Sequence, residues 1–170
     1  MIIAAIFLIL PLCLTLAAIT DLFTMTIPNR VSLILLGAFL VIAPFTGMAW
    51  STIGMSLLAG FAVFSVCFCL FAMNVMGGGD AKLLTAAAVW FGFDQSLFLF
   101  LTAVGYAGGV LTLLILLMRS QAVTLLATGL PIPNSLLTAK KVPYGIAIGA
   151  AGLITYAEAP IVKAAIASLS

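Results

Sequence analysis

The chain has 170 residues and a mass of 17.6 kDa, with 65% hydrophobic and 6% charged residues and a mean hydropathy of +1.41. No ordinary water-soluble domain carries such a surface, so the composition describes an integral membrane protein, one membrane-embedded unit over residues 1–170. The net charge of +2 gives no footing for nucleic acid, and the lack of His removes Ser-His-Asp and Cys-His nucleophiles and the usual His-containing zinc sites, leaving acid–base work to carboxylates.

In chain order, Ile2 to Thr20 is an uncharged run of 19 residues, about the ~20 a helix needs to cross ~30 Å of hydrocarbon. No Lys or Arg precedes it and it passes directly into Asp21, which predicts a retained span rather than a cleaved signal. A polar link from Thr20 to Arg30 follows, with Pro28 suited to the start of a helix. Val31 to Trp50 is the second expected span, bent or ended early by Pro44. Ile53 to Met76, 24 uncharged residues, is the third. After Gly77-Gly78-Gly79 the uncharged stretch covers only Leu83 to Phe93, 11 residues, or roughly 16 Å at 1.5 Å per residue. A fourth helix must therefore take in Asp80 and start below the headgroups, recessing the glycine turn into a protein-lined or wet cavity.

Gln95 to Met118 is the fifth span, with Gly105, Gly108 and Gly109 spaced to let a neighbour approach. Arg119 to Val142, interrupted by Gly129, Pro131 and Pro133, fits a broken interfacial segment closed by Lys140 and Lys141. Pro143-Tyr144-Gly145 opens a sixth span with Gly145, Gly149 and Gly152 on a close-packing face, ending near Glu158, Pro160 and Lys163. The expected fold is all-α, a bundle of six transmembrane helices with a short fourth helix. Placing links 21–30, 77–82 and 119–142 on one side gathers Arg30, Lys82, Arg119, Lys140 and Lys141, five of the six basic residues. That side is expected to be cytoplasmic, with both termini, Asp94 and Glu158 outside.

Asp21 and Asp80 then share the cytoplasmic half of the membrane. Two carboxylates at one depth suit an aspartyl hydrolase, one ionised to take a proton from water and one protonated to polarise a carbonyl. The competing account is structural, with Asp21 at a helix end and Asp80 as the N-cap of the fourth helix. From another functional class, a proton- or cation-coupled transporter could use the same carboxylates, although no inverted repeat is evident. The glycines admit an extended backbone beside Asp80 and unusual φ values, or form an ordinary tight turn. Lys82 could pair with Asp80, orient an acidic substrate group or snorkel to the headgroups, and Tyr144 could line a substrate groove or anchor at the interface. Cys13, Cys67 and Cys69 lie in apolar runs, and an i, i+2 pair diverges on a helix, so neither disulfide nor metal site is expected. Phe61, Phe64, Phe68 and Phe71 fit packing or lipid contact.

Gly77-Gly78-Gly79-Asp80 matches the Gly-x-Gly-Asp signature of intramembrane-type aspartyl peptidases, and with Ala81-Lys82-Leu83-Leu84 it resembles the type IV prepilin peptidase family. Asp21 followed by Ile27-Pro28-Asn29, and Lys141 to Ala147, are similar to the short, peptidase-only branch associated with tight-adherence (Flp-type) pili. The resemblance implies Asp21 and Asp80 as the catalytic pair. It also implies a prepilin substrate whose basic leader is removed at the cytoplasmic face of a bacterial cell membrane. The candidate substrate contacts are Gly77, Gly78, Gly79, Lys82 and Tyr144, and no metal or other cofactor is expected. Long members of that family carry an insert with paired CxxC motifs associated with N-methylation. This chain has no such insert, so methyl transfer is not expected.

Overall fold

The computed structural model of the protein describes residues 2–120 and 142–168. They form α1 (Ile2–Thr24), α2 (Asn29–Ile42), α3 (Trp50–Ala72), α4 (Gly78–Phe91), α5 (Gln95–Ser120), α6 (Tyr144–Thr155) and α7 (Pro160–Ala167), with 3-10 turns at Ala43–Phe45 and Tyr156–Glu158. The architecture is all-α. Helices α1, α3, α5 and the stretch Tyr144–Ala167 are each long and apolar enough to cross a bilayer, which makes the chain a multi-pass membrane protein. Helices α2 and α4 have 14 residues each, about 21 Å at 1.5 Å per residue. Four long spans and two short helices thus stand where six spans were expected. The expected interfacial segment, with Lys140 and Lys141, lies outside the described residues.

The shortness of α4 reflects its place at the centre. Leu83, Leu84 and every residue from Ala86 to Phe91 are buried, an all-round apolar helix that needs small side chains to accept neighbours on several faces. Against α3, a Cβ on Gly60 would collide with the Val89 side chain. Against α2, the fully buried Trp90 donates its indole N–H to the Leu35 carbonyl at 3.0 Å and meets Phe39 edge-on at 6.0 Å. Against α5, Phe91 stacks on Phe100 with ring centroids 4.2 Å apart. The helix stops at Gly92, whose φ of 67° lies in the left-handed region, where a side chain would be strained.

The second packing seam joins α1 to α6. A Cβ on Gly149 would sit 2.9 Å from Ala18 Cβ and 2.9 Å from the Leu14 carbonyl oxygen, and one on Gly152 would collide with Leu14. The close-packing face expected on the last span therefore exists, and its partner is α1. On α5, among the described residues, only Gly108 is used this way, against the Tyr144 ring. Among the described residues, nothing lies within 4 Å of a Cβ added at positions 105 and 109. Outward faces carry Leu12, Phe61, Phe68, Tyr106 and Leu113 exposed, as lipid contact requires. Cys67 is buried and Cys69 exposed, the divergence expected for an i, i+2 pair, and all three cysteines are free thiols.

Several helix ends differ from the hydropathy pattern, for local reasons. Helix α1 continues past Thr20 to Thr24, so Asp21 lies in its last turn and not in a polar link. The Thr20 and Thr24 hydroxyls donate to carbonyls four residues back, those of Leu16 and Thr20, at 2.9 and 2.7 Å, satisfying themselves within the helix. The helix ends where Met25 takes a φ of 53°. Helix α2 gives way to a 3-10 turn containing Pro44, which cannot donate to the helical ladder. Helix α3 stops at Ala72, short of Met76, where Asn74 adopts a φ of 59° and Val75 N–H caps the Leu70 carbonyl. The last span, expected to end near Glu158, Pro160 and Lys163, runs to Ala167 and is interrupted by the 3-10 turn Tyr156–Glu158 before Pro160 opens α7.

Candidate active site

Three helix ends converge on one pocket: the C-terminus of α1, the N-terminus of α4 and the N-terminus of α6. It has a volume of about 420 Å³ and is lined by Asp21 and Met25 from the end of α1 and by Thr26, Ile27 and Asn29 from the link into α2. Gly77, Gly78, Gly79 and Asp80 contribute from the start of α4, and Val142 and Pro143 from the approach to α6. Asp21 and Asp80, far apart in sequence, thus face a common space. Among the described residues lining it, these two carboxylic acids are the titratable side chains.

Asp21 is buried, with 4% of its surface exposed. Its Oδ2 accepts a hydrogen bond from the Gly145 N–H at 2.7 Å. That N–H belongs to the first turn of α6, where backbone donors have no helical partner and favour an acceptor with negative charge. The same glycine has no room for a side chain: an added Cβ would lie 2.8 Å from Asp21 Oδ2 and from Ile27 Cδ1. Gly145 was expected only to pack closely, and its role as backbone donor could not be read from spacing. The adjacent Pro143-Tyr144-Gly145 block was the available signal.

Asp80 occupies the first turn of α4, and the helix is capped not by Asp80 but by Gly77, in extended conformation. The three glycines form the helix start instead of a tight turn, and none has a positive φ. Their value is steric. A Cβ on Gly77 would stand 2.7 Å from Asp80 Oδ2, one on Gly78 would stand 3.2 Å from the Phe71 ring, and one on Gly79 would stand 3.3 Å from Ile27 Cβ. Ile27 is therefore wedged between the starts of α4 and α6, a positioning residue that the sequence marked only as part of the Ile27-Pro28-Asn29 block.

The other two candidates lie outside the pocket lining. Lys82, exposed on α4, donates from Nζ to Asn29 Oδ1 at 3.0 Å and so reaches the pocket through Asn29. The Tyr144 ring lies against Gly108 of α5 and is 36% exposed. At the other end of α4, Asp94 and Pro160 line a separate small cavity, and Glu158 pairs with Lys163 at 2.6 Å on the surface. Among the described residues, no three His, Cys, Asp or Glu side chains come together as a metal-ligand group.

The model of the type IV leader peptidase family matches residues 8–117. The chain belongs to that family. The matched stretch includes both Asp21 and Asp80, while the Gly145 donor lies beyond it. Membership in the leader peptidase family implies an aspartic peptidase and prepilin substrates. No curated protein and no solved structure matches the chain.

Proposed function

We propose that this leader peptidase family member is a membrane aspartyl endopeptidase of the short, Flp-type branch, with Asp21 and Asp80 as its catalytic pair. The supporting observation is their common pocket, beside which an added Cβ on Gly77 would crowd Asp80 and one on Gly145 would crowd Asp21. In the proposed reaction one carboxylate is ionised and the other protonated, since two like charges facing one small space share a proton. A water held between them gives a proton to the ionised carboxylate as its oxygen bonds to the scissile carbonyl carbon. The protonated carboxyl delivers its proton to the carbonyl oxygen. In the collapse of the tetrahedral diol one hydroxyl returns its proton to the second carboxylate and re-forms the carbonyl, the C–N bond breaks, and the proton taken from water goes to the leaving amine.

The Gly145 N–H fixes the orientation of Asp21, and the bare backbone of Gly77 to Gly79 lets an extended substrate strand approach Asp80. The prepilin leader is cut at the cytoplasmic face, with six helices in the bilayer, α4 recessed and both termini outside. The lack of paired CxxC motifs supports cleavage without methyl transfer.

The test is release of the leader from a cognate prepilin by purified protein in detergent. Asp21→Asn and Asp80→Asn are each expected to lower kcat by about a thousandfold or more. Undiminished cleavage by both variants would eliminate the dyad, and a wild type that cuts no prepilin would eliminate the activity, the transporter alternative then standing.

A further inference from the structure

Beside the pocket a second, lateral groove of about 380 Å³ opens between α2, α3 and α4. The two spaces share Asn29. From Asn29 the groove follows α2 through Ser32 to Leu36, follows α4 from Lys82 to Thr85, and has Phe64 of α3 as its outer wall. Its walls are mainly apolar, yet two of its lining residues, Ser32 and Thr85, carry buried hydroxyls with no hydrogen-bond partner among the described residues. Ser32 itself is 8% exposed. At the mouth, Lys82 spends one N–H on Asn29, and an ammonium carries three.

An unpartnered buried hydroxyl is costly, so two in one apolar groove point to an occupant that brings polar groups at membrane depth. An alkyl chain brings none. A peptide in extended form does, because each of its N–H and C=O groups needs a partner once removed from water. We propose that this groove is the subsite for the residues immediately downstream of the cut bond, which it holds extended. The proposal rests on the peptidase function above. The Ser32 and Thr85 hydroxyls and the Lys82 ammonium bond the strand's backbone, while Phe64 and Leu36 receive its apolar side chains. From Asn29 to Leu36 the groove runs about 10 Å at 1.5 Å per helical residue, which about three extended residues cover. Beyond these the substrate is free to coil into its own helix and leave into lipid.

Disulfide mapping in membranes tests this. The full chain carries Asp80→Asn to hold substrate, Ala at Cys13, Cys67 and Cys69, and Leu36→Cys in the groove. The prepilin carries single cysteines at each of the first fifteen positions after the cut bond. Cross-links confined to about the second to fourth positions are expected, with none from Ile154→Cys on the exposed face of α6. An even pattern, a pattern centred far downstream, or a groove that yields only phospholipid adducts with a thiol-reactive lipid probe overturns the subsite.

The Ser32→Ala, Thr85→Val double variant, with Asp21 and Asp80 intact, is expected to raise KM about tenfold with kcat within about twofold. Ser32→Thr, which keeps the hydroxyl, is expected to behave as wild type. An unchanged KM, or loss of kcat alone, also overturns it. If wild-type protein cuts the prepilin and these patterns are absent, the groove assignment fails and the peptidase stands. If wild type cuts nothing, both fail.

Discussion

Gly145 and Asp21 are 124 positions apart and are joined by one backbone hydrogen bond of 2.7 Å. Replacing the glycine by Ala inserts a methyl 2.8 Å from both Asp21 Oδ2 and Ile27 Cδ1, so the carboxylate must swing away from its place. Displacing a reacting group by about 1 Å costs on the order of a hundredfold in rate. Gly145→Ala is therefore expected to lower kcat of leader cleavage roughly 10- to 100-fold with little change in KM, as a substrate titration will show. Unaltered kcat would mean that the bond is dispensable. The same steric logic separates the helix-start glycines. Gly77→Ala meets Asp80 itself at 2.7 Å, whereas Gly78→Ala meets only the edge of the Phe71 ring at 3.2 Å, so the first substitution is expected to cost more activity in the same assay.

Among the elements, α4 is the one that the others surround, and its position depends on two kinds of contact. One is polar: the Trp90 indole N–H bonded to the Leu35 carbonyl of α2. Trp90→Phe leaves that carbonyl with one partner fewer and opens space in a filled core, a loss of about 1–3 kcal/mol. It is expected to lower the melting temperature in detergent. The other contact is the absence of side chains where helices cross. Gly152→Leu drives a side chain into Leu14 of α1, and overpacking of this kind costs typically about 1–3 kcal/mol. Because α6 also carries the donor to Asp21, this variant is expected to lose activity along with thermal stability. Loss of stability with full activity per folded molecule would show that the α1–α6 seam and the pocket are independent.

At the scale of the molecule, the charge distribution sets the expected orientation. Arg30→Cys, in a background with the native cysteines replaced, is expected to react with an impermeant thiol reagent only from the cytoplasmic side, and Glu158→Cys only from the outside. The opposite pattern would invert the topology. Hydropathy and scarcity of charge, both local properties, were enough to establish a multi-pass all-α protein, the shortness of α4 and the glycine face of the last span. They also singled out Asp21 and Asp80, because a carboxylate in an apolar chain stands out wherever it folds.

Local patterns could not locate the helix ends. A charged residue reads as a boundary, yet Asp21 stays inside α1, where the N–H of Gly145 receives its carboxylate. Nor could they tell that Gly77 to Gly79 start a helix instead of a turn, or that Gly108 and not Gly105 or Gly109 takes the Tyr144 ring. The sequence by itself determined which groups are available for chemistry. The tertiary structure decided which of them meet, since the shared pocket, the Gly145 donor and the unpartnered hydroxyls of Ser32 and Thr85 depend on packing between segments that no local pattern relates.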